Sequence, residues 1–405
     1  MIRFIHTADI HLGVENYGKI DQKTGIHTRL LDFSHALEYC IDYAIEQKVD
    51  FFLFCGDAYK TTSPSPTQQK LLMSHFLKLY LAGIPTIIII GNHDHPLSFG
   101  KAHSLDIFSD LPIDGFHVIN KPKTITLETQ HGPIQILGIP WPTRNTITLN
   151  SNEMLSEITT NLSKTVSSII QHHADQLDQT IPSILACHLT VSNGIFSGSE
   201  KRAIYGTDPI FLPSQLAIKP FDYVALGHLH RYQNLNENGY PAIVYPGSIE
   251  RIDFGERKEE KGFCLVSIEK KGTVSHTFVP TPTRPFIQIE VQLDEENQTE
   301  NLIDEINKHA IKDAIIKIVY HLPENVADHV EIKKVQKVCQ KAHYIVGLFP
   351  VKKHAKREQR AQVKLEMDLK TLLQTYFSQK PELADKIDHL IAQTQKIIQE
   401  TEQNQ

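Results

Sequence analysis

Residues 84–94 read IPTIIIIGNHD, an apolar run that ends at a glycine and is followed at once by an amide, an imidazole and a carboxylate. The run at 84–90 predicts a strand in the middle of a sheet, because only a strand covered on both faces is apolar throughout. Asn92, His93 and Asp94 then lie in the loop that follows this strand. A Gly-Asn-His-Asp sequence at that point has no evident packing purpose, so it indicates a binding or catalytic site.

The same arrangement, polar side chains directly after a predicted strand, recurs elsewhere in the chain. The further residues are Asp9 and His11 after the run at 2–8, Asp57 after 49–55, His188 after 184–187, and His228 and His230 after 223–226. In layered α/β folds the loops after parallel strands gather at one edge of the sheet, where ligand sites form. We therefore expect these distant segments to converge.

The order of apolar patterns predicts an α/β fold. Strands at 2–8, 49–55 and 84–90 alternate with helices at 29–47 and 65–81, which favours parallel strands with helices on the faces of the sheet. Ser65, Pro66 and Thr67 are typical of a helix start. Further strands are predicted at 116–120, 124–129, 134–139, 184–187, 223–226, 242–245, 263–269 and 274–279, and a further helix at 152–177.

Proline punctuation at 280–285 marks a predicted domain boundary, so residues 1–280 form the main domain. Residues 286–350 alternate strand-like runs (286–291, 314–320) with helix-like runs (299–309, 326–337), which predicts a small α/β domain. The basic run 351–364 is interpreted as a linker or the start of a helix. The tail to residue 400 predicts two amphipathic helices broken at Pro381, and such a short pair must dock on something to bury its apolar stripes.

The residue types after the strands restrict the chemistry. Carboxylates, imidazoles and an amide, without any thiolate, suit Mn²⁺, Fe or Zn²⁺ in a catalytic site better than a structural zinc site. The alternating pleat of a strand would direct Asp9 and His11 the same way, and likewise His228 and His230. The glycines at 56, 91 and 227 would permit tight bends beside an ion. There are ligands enough for two ions joined by a bridging carboxylate, a pair that activates water against a phosphate.

The composition of the chain restricts its possible function classes and its cellular location. The 405 residues carry a formal net charge of -6, which argues against a basic footprint over the whole chain for nucleic acid but leaves room for a local patch. The five cysteines form no CxxC pair, and buried thiols in a reducing compartment are the favoured interpretation. No stretch approaches the roughly 18 apolar residues of a membrane span, and no secretory signal is evident. We expect no membrane association and a cytoplasmic location.

Taken in order, the motifs resemble those of the calcineurin-like metallophosphoesterase superfamily. The flanking sequences ADIHLG, FFLFCGDAY, GNHDHP, ACHLTVSNG, YGTD, FDYVALGHLHRYQ and VYPGSIERIDFGE look like those of SbcD-type nuclease subunits. The resemblance rests on strong motifs over 1–280 and on architecture alone over 281–405. It implies a layered α/β/β/α sandwich, a small α/β capping domain at 286–350, and a C-terminal helical pair within 351–405.

Position by position, the resemblance implies two divalent metal ions, with a preference for Mn²⁺. One ion is held by Asp9, His11, Asp57 and His230, and the other by Asp57, Asn92, His188 and His228, so that Asp57 is the bridge. His93 stands over the phosphate as transition-state stabiliser or general acid, and Asp94 orients His93. The implied activity is exonuclease action on double-stranded DNA ends from the 3′ side and endonuclease action on single strands.

The resemblance also implies partners. The C-terminal helix pair would bind the root of the coiled coil of an ABC-type ATPase, and two copies of the chain would pair within a heterotetramer, with 66–82 and 98–111 as candidate helices. Candidate contacts to DNA are Lys201, Arg202, Arg231 and Arg251. A solvated loop for the first two and surface salt bridges for the other two are the competing interpretations.

Two other functions stay open. A phosphatase of the same fold would act on a nucleotide or phosphoprotein, but it would have no need of the small domain and the terminal helices. A non-catalytic scaffold would have no physical need of a complete cluster of carboxylates and histidines.

Overall fold

The computed structural model describes residues 1–95, 102–110, 114–143, 155–198, 208–353 and 386–402, together with the single positions 374 and 377. It divides into two compact units. The first comprises Met1–Ile289, Ile306–Ile318 and Gln336–Gly347, and the second comprises Glu290–Glu305, Val319–Val335 and Leu348–Gln405. The predicted domain limits at 280–286 and 350–351 stay a prediction.

The first unit contains two six-stranded sheets. The first sheet has the order β14-β13-β1-β2-β3-β4, in which β1 to β4 run parallel and β13 pairs antiparallel with both β1 and β14. Its strands are β1 (Ile2–Thr7), β2 (Phe51–Phe54), β3 (Thr86–Ile89), β4 (Phe116–Ile119), β13 (Gly262–Lys270) and β14 (Thr273–Pro280).

The second sheet has the order β11-β12-β10-β7-β6-β5, with β6, β7, β10 and β12 parallel. Its strands are β5 (Lys123–Thr129), β6 (Gly132–Ile139), β7 (Ser183–His188), β10 (Tyr223–Gly227), β11 (Gln233–Asn234) and β12 (Ala242–Tyr245). A separate pair consists of β8 (Thr190–Val191) and β9 (Ile210–Phe211). The helices of this unit are α1 (Thr28–Glu46), α2 (Pro66–Leu81), α3 (Ile107–Asp110), α4 (Leu155–Gln176) and α5 (Pro213–Leu216).

Alternation along the strands produces three apolar layers. Phe52 and Phe54 of β2 pack with α1 and α2, whereas Phe51 and Leu53 belong to the cluster between the two sheets. Phe4 stacks on Phe51 in that middle layer, with ring centroids 4.6 Å apart. The outer face of the second sheet packs against α4. The order is helix, sheet, sheet, helix, which confirms the predicted α/β/β/α fold.

The start of α2 confirms the predicted helix signal. The Ser65 hydroxyl accepts from Gln68 N at 3.3 Å, and the Gln68 side chain accepts from Ser65 N at 2.9 Å. This capping box satisfies donors that have no partner within the helix. Pro66 takes the first helical position, where its missing N–H costs nothing.

The C-terminal part of the chain forms a three-stranded sheet in the order β15-β16-β17. Its elements are β15 (Phe286–Gln292), α6 (Gln298–Asn307), β16 (Ile315–Pro323), α7 (Ile332–Val338) and β17 (Tyr344–Lys353), and the last described helix is α8 (Ile387–Glu402). The predicted second helix of the terminal pair corresponds to α8, and the first lies outside the described residues except at positions 374 and 377, which are helical. No described helix is both long and apolar enough to cross a membrane.

Two local predictions were wrong in this region. The helix predicted from Val326 begins only at Ile332, because Asp328 accepts hydrogen bonds from Tyr320 Oη at 2.7 Å and from Val330 N at 3.0 Å. Such side-chain contacts compete with helical backbone bonds. Of the basic run interpreted as a linker or helix start, residues 351–353 still belong to strand β17, which ends at Lys353, and the rest lies outside the described residues.

Candidate metal centre

The predicted site residues follow the carboxyl ends of five strands. Asp9 and His11 follow β1, Asp57 follows β2, and Asn92 follows β3 in the first sheet. His188 is the last residue of β7 in the second sheet, and His228 and His230 follow β10. Loops from both sheets therefore meet at one edge of the sandwich, as expected for a ligand site in an α/β fold.

Left-handed backbone, and not strand pleating, aims these side chains. The φ angles are 52° at Asp9, 50° at His11, 62° at Asp57 and 108° at His228. The pleat explanation was wrong, because β1 ends at Thr7 before the first pair begins. A non-glycine residue in this region costs about 1–3 kcal/mol and persists only where its surroundings enforce it.

Main-chain bonds between the first two loops enforce that conformation. Asp9 N donates to Gly56 O at 2.9 Å, and His11 N donates to Asp57 O at 3.0 Å. These bonds tie the loop after β1 to the loop after β2. The strain at the left-handed residues is thus held by neighbouring backbone, which fixes the side chains before any ligand arrives.

Glycine is required at the three site positions for two different physical reasons. Gly56 has a φ of 92°, which favours glycine. A Cβ on Gly91 would run into the Asp57 carboxylate and main chain, and a Cβ on Gly227 would run into the carbonyl of Cys55. Gly91 and Gly227 are therefore required for close approach of loops, and only Gly56 fits the predicted bend.

The first predicted ligand set converges. Ligand atoms of Asp9, His11 and His230 all lie within 4.8 Å of one another. Nε2 of His11 lies 3.1 Å from Nε2 of His230 and 3.7 Å from Oδ2 of Asp57. Nδ1 of His230 donates to the Glu256 carboxylate at 3.0 Å, so its Nε2 presents a lone pair.

The second predicted set converges as well. Ligand atoms of Asp57, His188 and His228 lie within 4.8 Å of one another. Oδ1 of Asn92 lies 2.9 Å from Nε2 of His188 and 3.1 Å from Nδ1 of His228. Nδ1 of His188 donates to the carbonyl of Cys55 at 2.7 Å, which leaves Nε2 to face Asn92 and Asp57.

Asp57 lies between the two sets, with one oxygen toward each. Oδ2 is the atom 3.7 Å from His11, and Oδ1 lies 3.5 Å from Nε2 of His188. Ligands about 2.0–2.2 Å from an ion are themselves about 3–4 Å apart, which matches these separations. The nitrogen and oxygen donors of both sets therefore fit divalent cations.

Burial and neighbouring charges shift the pKa values of the Asp9 and Asp57 carboxyl groups in opposite directions. Burial raises the pKa of Asp9 to about 7. Burial alone would also raise the pKa of Asp57, but the neighbouring His188 holds it well below its usual range. Burial would lower the pKa of His188, and the Asp57 carboxylate instead raises it to about 9.

Metal binding is expected to release protons. The raised pKa values, about 7 for Asp9 and about 9 for His188, favour the protonated forms of both groups near neutral pH before an ion binds. Both must lose the proton to coordinate, so affinity should rise between pH 6 and pH 9, by up to roughly tenfold per pH unit for each proton released. Calorimetry in buffers of different ionisation enthalpy measures this release, and a value of zero at pH 7 would contradict the assignment of these two ligands.

A family model described as calcineurin-like phosphoesterase matches residues 2–232, which contain every predicted ligand. A relative from Staphylococcus saprophyticus subsp. saprophyticus, named as the D component of the nuclease SbcCD, is 30% identical over 298 residues, which are 72% of this chain and 71% of that protein. The chain belongs to the calcineurin-like phosphoesterase family, as an SbcD-type member. A dimetal phosphatase from Danio rerio aligns with a TM-score of 0.40 at 8% identity, covering 69% of this chain and 99% of that chain.

In this phosphoesterase the predicted role of Asp94 was wrong. The Asp94 carboxylate accepts from the main-chain N–H groups of Asp57 at 2.8 Å, Ala58 at 3.0 Å and Gly91 at 2.9 Å, and so clamps two loops together. The ring of His93 is held elsewhere, since its Nδ1 lies 2.9 Å from the carbonyl of Lys60. Asp94 therefore positions the backbone around Asp57 and does not orient His93.

His93 is half-buried at the rim of the first ligand set. Its ring centroid lies 5.0 Å from that of His11, and its main-chain N–H donates to Oδ1 of Asp57 at 2.9 Å. The Lys60 carbonyl can only accept, so Nδ1 of His93 carries a hydrogen. Nε2 is then the position available to a substrate.

The candidate DNA contacts differ in what surrounds them. Lys201 and Arg202 lie outside the described residues. Arg231 is exposed, and within the described chain no hydrogen bond or ion pair engages its guanidinium. Arg251 instead donates to the Thr283 hydroxyl, to Arg284 O at 3.4 Å and to Glu259 O at 2.8 Å. Its contact with DNA stays a prediction.

Sequence reasoning missed three residues of the site. The Trp141 ring lies with its centroid 4.8 Å from that of His228 and 6.0 Å from that of His188. Glu256 contacts His230, and Lys261 contacts Glu256. Trp141 is the only tryptophan of the chain and follows the β6 strand, which is the same signal as for the ligands. Glu256 ends the motif VYPGSIERIDFGE, and Lys261 had no signal.

Proposed function

We propose that the chain is the Mn²⁺-dependent nuclease subunit of a DNA end-processing complex, a 3′-to-5′ exonuclease on duplex ends and an endonuclease on single strands. The observation that carries the proposal is Asp57, which directs one carboxylate oxygen toward each of two ligand sets. A carboxylate in that position lets two cations lie close together, as metal-assisted phosphodiester hydrolysis requires.

The chain's own residues perform distinct tasks in this mechanism. The ligand sets would hold two ions, and these would supply an activated water and positive charge opposite the phosphate oxygens. The clamp from Asp94 to Asp57 N and Gly91 N fixes the loops that carry the bridge and Asn92. With Nδ1–H held by Lys60 O, a protonated His93 donates its Nε2 proton to the leaving oxygen of the ester.

The choice of DNA as substrate rests on the relative. Its name describes it as a nuclease and as one subunit of a complex. The net charge of -6 means that a phosphate backbone must be met by a local patch. Arg231, which is exposed and directly follows His230, is our candidate for such a contact.

The name of the relative, one subunit of a complex, supports a proposal about partners. We infer an ABC-type ATPase with a coiled coil, contacted through the C-terminal helices, and a homodimer within a heterotetramer. Helix α8 is amphipathic. An amphipathic helix at a chain end supports the proposal because such helices commonly dock into apolar grooves of partners.

One assay distinguishes the proposal from its main alternative. The purified chain with Mn²⁺, with and without the ATPase partner, is given a linear duplex labelled at either end, a circular duplex, single-stranded DNA and p-nitrophenyl phosphate. We expect loss of the 3′ label from the linear duplex, slower cutting of single strands and no cleavage after chelation of the metal. Hydrolysis of the mono-ester without DNA cleavage would favour a phosphatase, and no hydrolysis of any substrate would favour a scaffold.

A further inference from the structure

A fully buried ion pair lies behind the metal ligand His230. Glu256 is 0% exposed and Lys261 is 2% exposed. Lys261 Nζ lies 2.9 Å from Oε2 of Glu256. Both residues lie beyond the region 2–232 matched by the family model, so the match assigns them no role.

The pair holds His230 at two points. Oε1 of Glu256 accepts from Nδ1 of His230 at 3.0 Å, and Lys261 Nζ donates to the main-chain carbonyl of His230 at 2.9 Å. Ser248 N donates to the same carbonyl at 3.0 Å. Ring and backbone of one ligand are therefore fixed by the two ends of a single ion pair.

The local fold holds Glu256 rigidly. The short turn Phe254–Glu256 is capped by Asp253, whose Oδ1 accepts from Gly255 N at 2.7 Å. The Phe254 ring packs against Phe286 with centroids 5.0 Å apart. Ile252 N donates to Oε2 of Glu256 at 2.9 Å. The second carboxylate oxygen is thus occupied by two donors, and the first remains for His230.

Stability alone does not explain such a pair. Removing two charges from water costs several kcal/mol per ion, and well-packed apolar residues of similar volume are often as stable or more so. A metal-binding histidine, by contrast, benefits when its second nitrogen donates to a carboxylate, which fixes the tautomer and strengthens the donor. The location of the pair behind a ligand therefore points to positioning.

His230 is distinguished from the other three histidines predicted as ligands. Nδ1 of His188 donates to a main-chain carbonyl, and Nδ1 of His11 has no partner. Nε2 of His228 lies 3.8 Å from Oδ2 of Asp208, beyond hydrogen-bond distance. Within the described part of the chain, only His230 among these four has its second nitrogen hydrogen-bonded to a carboxylate, so the two ligand sets are unequal.

We propose that Glu256 and Lys261 are positioning residues for His230. Glu256 fixes the tautomer that directs the Nε2 lone pair toward the ion shared by Asp9, His11 and Asp57, and Lys261 balances the Glu256 charge and holds the His230 backbone. This inference rests on the proposed two-ion function. It deepens that function by assigning one ion a dedicated support outside the family's matched region.

The change Glu256→Gln tests the tautomer directly. The amide has one acceptor oxygen, and two donors, Lys261 Nζ and Ile252 N, compete for it against Nδ1 of His230. The oxygen therefore turns toward the two donors, and the amide NH₂ faces His230. Nδ1 must then accept, so Nε2 carries the hydrogen and cannot bind the ion.

Nitrogen-detected NMR of the His230 ring in the metal-free protein identifies this tautomer. Calorimetry with Mn²⁺ measures the number of ions bound and the affinity of each. We expect the wild type to bind two ions with the Nδ1–H tautomer. Glu256→Gln should switch the tautomer and weaken one ion by roughly 10–100-fold while the other is unchanged. Glu259→Gln is the matched control, because Glu259 lies 3.0 Å from the same Lys261 Nζ but does not contact His230, and it should change neither affinity.

A double change separates positioning from stability. Glu256→Gln with Lys261→Met removes both charges of the buried pair, so it should recover part of the thermal stability that Lys261→Met alone loses. Affinity for the one ion should stay low, because Ile252 N still draws the amide oxygen away. Recovery of that affinity together with stability, or normal binding of both ions by Glu256→Gln, would overturn the inference. A wild type that binds no ion would overturn the proposed function and this inference with it.

Discussion

Replacing Asp57 with alanine is expected to abolish tight binding of both ions and to lower DNA cleavage by at least about 10⁴-fold. Each ligand set loses a carboxylate oxygen, the one near His11 and the one near His188. The charge that lets two cations lie together is lost as well. Bound ions supply several kcal/mol of transition-state stabilisation, and each 1.36 kcal/mol is a factor of ten in rate. Calorimetry and single-turnover cleavage measure the two losses.

Two further variants make that result specific. Asp57→Asn keeps the shape and removes the charge, so it should retain at most one weakly bound ion. Asp175→Ala removes an exposed carboxylate on helix α4, which accepts from Gln171 Nε2 at 2.7 Å, and should leave binding and cleavage unchanged. If Asp57→Ala still binds two ions normally, Asp57 is not the bridge.

Replacing His93 with alanine is expected to separate binding from chemistry. The main-chain N–H that donates to Asp57 is present in alanine too, so the bridge keeps that contact. Loss of the ring removes the proposed proton donor, and general acid catalysis of this kind contributes roughly 10²–10⁴-fold. We therefore expect Mn²⁺ affinity within about twofold of the wild type and a fall in single-turnover cleavage of that size.

The control for this change is His172→Ala on the exposed face of α4, which should alter neither quantity. A substrate with a good leaving group, such as bis-p-nitrophenyl phosphate, needs less help from an acid. It should lose much less rate in His93→Ala than DNA does. A parallel fall in metal affinity would instead identify His93 as a ligand.

The central strands were predictable because burial on both faces leaves a clear trace in the sequence. The run before Gly91 predicted β3, and the run before Gly56 predicted β2, each to within two residues of the observed bounds. Strand β17 was missed in part because its exposed residues, such as Lys352, look like those of a linker. The start of α7 was missed because a side-chain contact of Asp328 decides it, and periodicity carries no record of such a contact.

The ligand-bearing loops were predictable for a related reason. Polar groups placed directly after buried strands indicate a ligand site, because parallel strands bring their carboxyl ends together at one edge of the sheet. What aims Asp9 and His11 was not predictable, because their left-handed backbone depends on bonds to the loop after β2. Glu256 was not predictable because it lies in a segment rich in charged residues, where the sequence does not distinguish a buried carboxylate from exposed ones.

The two-ion mechanism depends most directly on where cations bind. Crystals grown with Mn²⁺, measured at the manganese absorption edge, would show the ions through anomalous scattering. We predict two peaks about 3.5–4 Å apart, one beside Asp9, His11 and His230, the other beside Asn92, His188 and His228, with Asp57 touching both. A single peak, or two peaks without Asp57 between them, would contradict it.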